Sequence, residues 1–371
     1  MARTRILVVD DSVVIRKLLC DILSQDPELE VVASASDGRI ALSKILQLKP
    51  DLVTLDIEMP VMDGLETLKE LRKSNRTLPV IMFSTLTERG AAATLDALSL
   101  GASDYATKPS NTGSPAEAIA AIQKELIPKI KALCSSASPK LKTLPPPRPA
   151  VRVRPRSKQP IEIVAIGTST GGPNALAEVL PHIPKDLPVA IVVVQHMPPI
   201  FTRLLADRLA SQSRIAVSEG IAGVTLAGGH AWIAPGNFHM TVARGGVHYS
   251  LGLNQNPPEH SCRPAVDPLF RSVAEVFRSN VLGVVMTGMG SDGVLGSQRI
   301  REAGGEVIIQ DEASSVVWGM PGLVYAAGQA DAVYPVNQLA AEITRRVVQS
   351  RTRQVARAAA VHDIAMESEA K

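Results

Sequence analysis

Three short apolar runs in the second half of the chain each end beside a residue that can take part in acyl transfer. Ser169 follows the first run in a G-x-S-x-G pattern, His196 follows the second, and Asp292 lies in a glycine-rich segment after the third. A hydroxyl, an imidazole and a carboxylate can act together as nucleophile, general base and orienting group. If the runs are neighbouring parallel strands, their carboxyl ends bring the three side chains to one crevice.

Each of these residues also has a plainer interpretation. The G-x-S-x-G pattern around Ser169 is as typical of a tight or phosphate-binding turn, and a single histidine after a strand is more often structural. However, the prolines after His196 end a strand at a crevice rim, and the glycines around Asp292 indicate a loop. Together the residues favour a Ser-His-Asp triad, in a chain order unlike the Ser-Asp-His order of α/β-hydrolases.

Other residues are weaker candidates for the same chemistry. His230, His239 and His260 are alternative bases, but they lie in predicted loops, where surface or packing roles are the default. Ser218-Glu219 and Cys262 are alternative nucleophile positions. We expect no base or helix amino end near Cys262 to lower its pKa.

A second set of chemically capable residues lies in the first half of the chain. Asp10 and Asp11 follow the first strand-like run, and Asp56 ends the third. Carboxylates this close need compensation, and Mg²⁺ supplies it with oxygen ligands. Lys108 and Ser84, at the ends of later runs, add a cation and a hydroxyl, which equips the cluster to accept a phosphoryl group. Any one aspartate alone would more often be a cap or turn residue.

The segments that position these residues alternate between strand and helix. Residues 5–133 predict a doubly wound parallel sheet of about five strands. From residue 160 the alternation resumes and predicts a second doubly wound, mostly parallel α/β domain, with a β-hairpin inserted at 228–246. The last helical pattern covers 336–349, and we expect the polar residues after it to fray.

A change in composition separates the two halves. Residues 135–159 contain Pro145-Pro146-Pro147 and seven basic residues without an acid, which is typical of an extended, solvated linker. A docking site for an acidic partner is the alternative interpretation. The predicted organisation is a first domain at 4–134, a Pro/basic-rich linker at 135–159, a second domain at 160–350 and a polar tail at 351–371.

Composition excludes several classes of protein. A net charge of +3 over 371 residues gives no case for nucleic-acid or membrane-surface binding. No apolar stretch approaches the ~18 residues of a membrane span, and the first apolar run is too short for a signal peptide. Three widely spaced cysteines argue against disulfides or a zinc site. We therefore expect a soluble cytoplasmic chain that does not insert into membranes.

The first domain resembles the receiver domains of two-component response regulators. The residues that carry the resemblance are Asp10, Asp11, Asp56, Ser84 and Lys108. It implies that Asp56 accepts the phosphoryl group and that Asp10, Asp11 and Asp56 hold Mg²⁺. It further implies that Ser84 senses the phosphoryl, that Lys108 is the counter-charge and that Tyr105 is the switch aromatic. Receivers often carry Thr where Ser84 stands, and the hydroxyl is kept.

The chain as a whole resembles the chemotaxis protein-glutamate methylesterase (CheB) family, over residues 5–133 and 160–347. The second domain contributes three motifs to the resemblance, Gly167–Gly172, Gln195–Pro198 and Met286–Gly293. Thr168 and Ser291 stand where the family usually has Ala and Asn, and neither is a triad position. The resemblance implies that Ser169 is the nucleophile, His196 the general base and Asp292 the orienting carboxylate, with Thr170 and Met289 beside the oxyanion site.

The function implied by this resemblance is phosphorylation-activated hydrolysis of glutamate methyl esters on methyl-accepting chemoreceptors, with deamidation of particular glutamines. Mg²⁺ would serve receiver phosphorylation, and the esterase step would need no cofactor. A histidine kinase of the chemotaxis type would donate the phosphoryl group, and the unphosphorylated receiver would cover the catalytic crevice. Two alternatives stay open: a response regulator whose second domain only binds a partner, and a regulated serine peptidase.

Overall fold

The computed structural model of the protein describes residues 3–108, 114–134 and 159–369. The chain divides into two compact units at Lys140–Leu141. This division falls in the segment predicted as a linker, nearly all of which (135–158) lies outside the described residues.

The first unit is built on a parallel sheet of five strands in the order β2-β1-β3-β4-β5. Its strands are β1 (Thr4–Val9), β2 (Leu29–Ala35), β3 (Leu52–Asp56), β4 (Val80–Ser84) and β5 (Asp104–Thr107). Its helices are α1 (Val13–Ser24), α2 (Gly38–Leu48), α3 (Gly64–Ser74), α4 (Glu88–Ser99) and α5 (Pro115–Cys134). Because β1 and β3 are neighbours, the carboxylates that follow them meet at one edge, as predicted.

Local sequence explains where these helices begin. Ser12 precedes α1 and accepts a hydrogen bond from the Ile15 N–H at 3.4 Å. Asp63 and Glu66 form a reciprocal capping box at the start of α3, which satisfies two N–H groups that a helix start leaves without partners. The central strands β3 and β4 are continuous buried runs, as expected when helices cover both faces of a parallel sheet.

The second unit contains a parallel sheet of seven strands in the order β14-β13-β12-β6-β7-β9-β8 and a separate antiparallel pair, β10-β11. Its strands are β6 (Ile163–Thr168), β7 (Ala190–Gln195), β8 (Ala216–Glu219), β9 (His230–Ile233), β10 (His239–Gly245), β11 (His248–Asn254), β12 (Val281–Val285), β13 (Glu306–Gln310) and β14 (Ala332–Tyr334). Its helices are α6 (Gly172–Val179), α7 (Phe201–Gln212), α8 (Val266–Phe277), α9 (Val294–Glu302), α10 (Met320–Ala326) and α11 (Val336–Glu369), with 3₁₀ turns at Leu180–His182 and Arg278–Asn280.

The structure corrects the predicted position of the inserted hairpin. β9 belongs to the parallel sheet beside β7, and the antiparallel hairpin spans His239–Asn254 instead of 228–246. Pro235-Gly236 ends β9 and redirects the chain. A side chain at Gly236 would collide with the backbone of Pro198 and Pro199, so this turn is possible only with glycine.

The carboxyl-terminal helix also differs from its prediction. α11 continues through Glu369 instead of ending near residue 349, so the backbone of the expected polar tail is helical. The segment is rich in alanine and arginine, both strong helix formers. Among the helices that the structure describes, none is both long and apolar enough to cross a membrane.

Candidate active site and phosphoacceptor site

Three adjacent strands at the centre of the seven-stranded sheet position the predicted triad. Ser169 directly follows β6, His196 directly follows β7, and Asp292 lies in the loop between β12 and α9. β6 pairs with β7 on one side and β12 on the other. At the end of β6, the His196 N–H donates to the Thr168 carbonyl at 3.2 Å. Ser169 and His196 therefore leave the sheet at the same edge, side by side.

The turn that carries Ser169 is tied to the loop after β12. The Ser169 N–H and the Thr168 hydroxyl both donate to the Thr287 carbonyl, at 3.0 and 2.8 Å. The Thr287 hydroxyl donates in turn to the Thr170 carbonyl at 2.9 Å. These bonds fix the backbone on both sides of the half-buried Ser169.

Gln195, the last residue of β7, joins the serine turn to the histidine. Its side-chain amide donates to the carbonyls of Ser169 and His196, at 3.0 and 3.1 Å. A side chain at Gly172 would collide with this amide, and Gly171 adopts a left-handed φ of 78°. The glycines of the motif are thus required by the turn itself. Gln195 was not among the predicted site residues, although a polar residue at the end of an apolar strand was a usable signal.

His196 and Asp292 form an imidazole–carboxylate pair. His196 Nε2 lies 2.7 Å from Asp292 Oδ2. A carboxylate only accepts hydrogen bonds, so Nε2 carries the proton and Nδ1 keeps the lone pair of a base. The His196 side chain is 10% exposed and that of Asp292 is 1% exposed. The sequence prediction that these two residues meet, 96 positions apart, agrees with this geometry.

Backbone N–H groups hold the Asp292 carboxylate in its charged form. Val266 N donates to Oδ2 at 2.6 Å, while Asp267 N and Gly293 N each donate to Oδ1 at 2.9 Å. Burial alone would raise the pKa of Asp292, but the bonds from His196 and the backbone outweigh burial and lower it.

Cys262 lies closer to the site than its sequence context indicated. Burial lowers the pKa of His196, but bonds to Asp292 and to the Cys262 thiol raise it by more. We predicted no base near Cys262, and this prediction was wrong. The long connection from β11 to α8 brings the thiol to the imidazole, and no local pattern in the sequence encodes that approach.

Two of the three alternative histidines have packing roles, as predicted. His239 is buried, and its ring nitrogens face the Pro257 carbonyl at 3.1 Å and the Ala265 N–H at 3.2 Å. His230 stacks on Trp232 with ring centroids 4.0 Å apart and bonds to the Ser218 hydroxyl at 2.7 Å. His230 starts its strand, so it lies at the opposite end of the sheet from the triad.

The third histidine, His260, is exposed, as predicted for a surface residue, but it also lies beside the site. His260 Nε2 lies 2.9 Å from Asp267 Oδ2 and 3.9 Å from Asp292 Oδ1. Asp267 is fully buried, and sequence analysis missed it. Its position at the start of a helical pattern looked like that of an ordinary first-turn acid.

Thr170 and Met289, the predicted neighbours of the oxyanion, lie on the two loops that Thr287 joins. Thr170 is buried and Met289 is half-buried. Gly288, which precedes Met289, packs so closely that a Cβ there would lie 2.8 Å from the Ser169 Cβ. Both predicted residues therefore adjoin the serine.

In the first unit, one lysine bridges two buried aspartates. Lys108 Nζ lies 2.9 Å from Asp10 Oδ2 and 2.7 Å from Asp56 Oδ2. Asp10 is 0% exposed and Asp56 is 4% exposed. Burial raises the pKa of Asp56 to about 6, reinforced by Asp10 and opposed by Lys108. A single ammonium thus compensates two carboxylates only in part.

The remaining predicted residues of this cluster surround the same edge. Oxygens of Asp10, Asp11 and Asp56 lie within 4.8 Å of one another, a donor set that fits a hard divalent cation such as Mg²⁺. The buried Ser84 hydroxyl donates to the Gly90 carbonyl at 3.1 Å. Tyr105 is buried, with the ammonium of Lys129 4.8 Å from its ring centre.

Both units match known families. Residues 164–343 match the family described as CheB methylesterase, and residues 6–120 match the response regulator receiver domain. The chain is 54% identical over 351 residues to a protein-glutamate methylesterase/protein-glutamine glutaminase of Trichodesmium erythraeum, across 94% of this chain and 100% of that one. It is 49% identical over 358 residues to a protein of the same name from Nocardioides sp., across 95% and 97% of the two chains. A crystal structure of the Thermotoga maritima CheB methylesterase catalytic domain is 40% identical, with a TM-score of 0.49, and covers 50% of this chain and 98% of its own.

Proposed function

The chain belongs to the CheB methylesterase family, and from that premise we propose that it hydrolyses glutamate γ-methyl esters on chemoreceptors under the control of its receiver domain. The same site would deamidate particular glutamines. The observation that carries the proposal is the 2.7 Å contact between His196 Nε2 and Asp292 Oδ2, at the sheet edge where Ser169 also emerges.

Acylation begins with the Ser169 hydroxyl. Its oxygen attacks the ester carbonyl carbon while His196 takes the hydroxyl proton at Nδ1, and Asp292 stabilises the imidazolium. When the bond to the methoxy oxygen breaks, His196 returns the proton and methanol leaves. The backbone N–H groups of Thr170 and Met289 are the proposed donors to the tetrahedral oxyanion.

Deacylation repeats these steps with water as the nucleophile. His196 takes a proton from water, and the hydroxide attacks the acyl carbon. When the bond to the Ser169 oxygen breaks, His196 gives this proton to that oxygen, which restores the Ser169 hydroxyl and frees the glutamate side chain. With glutamine as substrate the leaving group is ammonia, and the acyl-enzyme is the same. One site therefore serves both reactions.

Control is assigned to the receiver, with Asp56 as the phosphoacceptor and a chemotaxis-type histidine kinase as donor. Asp10, Asp11 and Asp56 would hold Mg²⁺, which when bound neutralises charge on the transferring phosphoryl group. Lys108 lies 2.7 Å from Asp56 and is the proposed counter-charge, with Ser84 and Tyr105 as the responding side chains.

The proposed layout is the predicted one, with a receiver at 4–134, a linker at 135–159, a catalytic domain at 160–350 and a tail at 351–371. A tether of this length keeps the receiver at an effective concentration near millimolar, so even a weak interaction can inhibit the esterase. The proposal assigns the reaction to the cytoplasm, with methyl-accepting chemoreceptors as substrates.

The test is methanol release from methylated receptor fragments by the full chain, with and without Mg²⁺ and a small-molecule phosphoryl donor. We expect the donor to raise the rate, and Ser169→Ala to lower kcat by about 10⁶-fold while Asp56 still takes up phosphoryl. Ser218→Ala is the matched control, since the Ser218 hydroxyl bonds to His230, outside the triad, and this variant should retain full activity.

Two results would contradict the proposal. Peptide cleavage without methanol release would identify a serine peptidase. Phosphorylation without any hydrolysis, in a chain that binds receptor fragments, would identify a binding-only output domain.

A further inference from the structure

A two-residue turn delivers a second imidazole to the far side of Asp292. Glu259 and Cys262 pair across this turn, with backbone bonds of 3.1 and 2.8 Å. The residues between them, His260 and Ser261, have φ values of 51° and 62°. Residues other than glycine seldom adopt this left-handed conformation, and when they do so at a site, the surrounding structure must hold them there.

The turn directs His260 toward a buried carboxylate. His260 Nε2 lies 2.9 Å from Asp267 Oδ2, on a side chain that is 0% exposed. The other oxygen of Asp267 accepts bonds from Gly293 N at 3.1 Å and Gly296 N at 2.6 Å. Asp267 thus ties down the backbone that begins directly after Asp292.

Asp267 also contacts Asp292 itself. Its backbone N–H donates to Asp292 Oδ1 at 2.9 Å. Backbone and side chain of one residue therefore hold both the carboxylate and the loop that carries it. Because Asp267 Oδ1 and both oxygens of Asp292 already accept backbone N–H bonds, the arrangement favours a positioning network over a cation site.

The charges around this cluster are of both signs. Burial and the neighbouring Asp292 raise the pKa of Asp267, while its bonds to Gly296 N and His260 oppose the rise. The Arg271–Glu259 pair, 2.6 Å apart, also faces the two aspartates. On the other side of Asp292 stand His196 and the Cys262 thiol.

We propose that His260 and Asp267 form a second imidazole–carboxylate pair, which positions Asp292 against His196 and sets the pH range in which His196 acts as a base. This inference rests on the proposed function. Neither residue touches the reacting atoms; both act through Asp292.

The test uses the full chain with Mg²⁺ and a phosphoryl donor, and follows methanol release from a methylated receptor fragment across pH. Asp267→Asn keeps an acceptor for the two N–H groups and removes the charge. We expect kcat to fall about ten- to hundred-fold, the range typical of outer-shell residues that orient metal ligands, while KM changes less than about two-fold. The acid limb of kcat/KM should move to lower pH, because loss of a nearby negative charge destabilises the His196 imidazolium.

A second pair of variants tests the role of His260. His260→Ala removes the donor to Asp267 and should lower kcat by a similar factor. His260→Gln retains an N–H donor and should restore most of the lost rate. His248→Gln is the matched control, since His248 is an exposed histidine on β11 and should leave the rate and the pH profile unchanged.

An unchanged acid limb in folded Asp267→Asn would overturn the inference, even if kcat fell. If that variant does not fold, the His260 pair decides, and a Gln variant no more active than the Ala variant would overturn it. A wild-type chain that releases no methanol would instead overturn the proposed function, and this inference with it.

Discussion

The two units place a buried carboxylate at the same topological position and surround it differently. Asp56 ends β3 and Asp292 follows β12, both at the carboxyl edge of a parallel sheet, with 4% and 1% exposure. Asp56 accepts the Ile57 N–H at 2.7 Å and shares Lys108 with Asp10. Asp292 accepts three backbone N–H groups and the His196 ring N–H.

The difference in donors sets the charge that each carboxylate can keep. The pKa of Asp56 is raised to about 6 by burial, whereas donors outweigh burial and lower the pKa of Asp292. An incompletely compensated carboxylate suits the proposed roles of Asp56, which are to bind a cation and to accept a phosphoryl group. A fully compensated one keeps its charge and can stabilise an imidazolium. The carboxyl edge of a parallel sheet thus suits two different chemistries, and the hydrogen-bond donors around each carboxylate decide which one.

The largest effect that tests this comparison is expected at Asp292. Asp292→Asn should lower kcat for methanol release by about 10⁴-fold, as the corresponding change does in other triads. The amide would present an N–H where four donors now meet a carboxylate. The His196 ring would then no longer be held with its proton on Nε2. The measurement is steady-state methanol release at saturating substrate, with Asp56 phosphorylation in the same preparation as the control for folding of the first unit. A loss of less than ten-fold would mean that the charge at Asp292 is not required.

The sequence predicts those contacts of the site that follow from a local strand pattern. It does not predict those that depend on a turn and on packing between distant segments. Ser169 and His196 directly follow buried strands, and Asp292 lies in a glycine-rich loop, so the strand pattern predicts that all three lie at one sheet edge. The contact between His196 and Asp292 agrees with this prediction. The contact between His260 and Asp267 depends on a left-handed turn at 260–261. That turn contains no glycine that would predict its left-handed conformation, and His260 contacts a residue on a different element. No local pattern predicts this contact.

The fold shows the same limit. The two parallel sheets are predicted by continuous apolar runs that alternate with helical segments, because such runs are typical of strands buried on both faces. The hairpin was placed too early because β9, of four residues, lies just before β10 in the chain, and only their partners show which sheet each strand joins. α10 and β14, of seven and three residues, are too short for a periodic pattern to reveal.

A second test removes the charge of Asp56, which we expect to stabilise the first unit instead of weakening it. Between pH 4 and 6 the unfolded chain ionises this carboxyl more readily than the folded chain does, because the folded pKa is about 6. Its contribution to the unfolding free energy therefore falls as pH rises through that window. At pH 7, without Mg²⁺, Asp56→Asn should stabilise the first unit by about 3 kcal/mol.

Hydrogen exchange of peptides from β1 and β3 measures this change in the full chain, because slow exchange there reports opening of the first unit. Asp51→Asn, at an exposed aspartate before β3, is the control. A destabilised Asp56→Asn would show that Lys108 compensates both aspartates fully, and the contrast with Asp292 would fail.

The smallest expected effect concerns a donor-rich carboxylate with no catalytic task. Glu342 on α11 accepts bonds from Arg345 at 2.7 Å, Arg346 at 2.6 Å and the Tyr334 hydroxyl at 2.9 Å. These donors outweigh burial and lower its pKa to about 2.

The stabilising contribution of Glu342 is therefore complete above pH 4.5 and is lost as pH falls from about 4.5 to 2. Glu342→Gln should cost about 1–2 kcal/mol at pH 7, since Arg345 is partly exposed and water weakens its pair with Glu342, whereas Arg346 is buried. Urea unfolding followed by Trp fluorescence isolates this unit, because the two tryptophans, Trp232 and Trp318, both lie in it. If Glu342→Gln loses as much unfolding free energy between pH 4.5 and 2 as the wild-type chain does, the number of donors alone does not set the charge of a carboxylate in this protein.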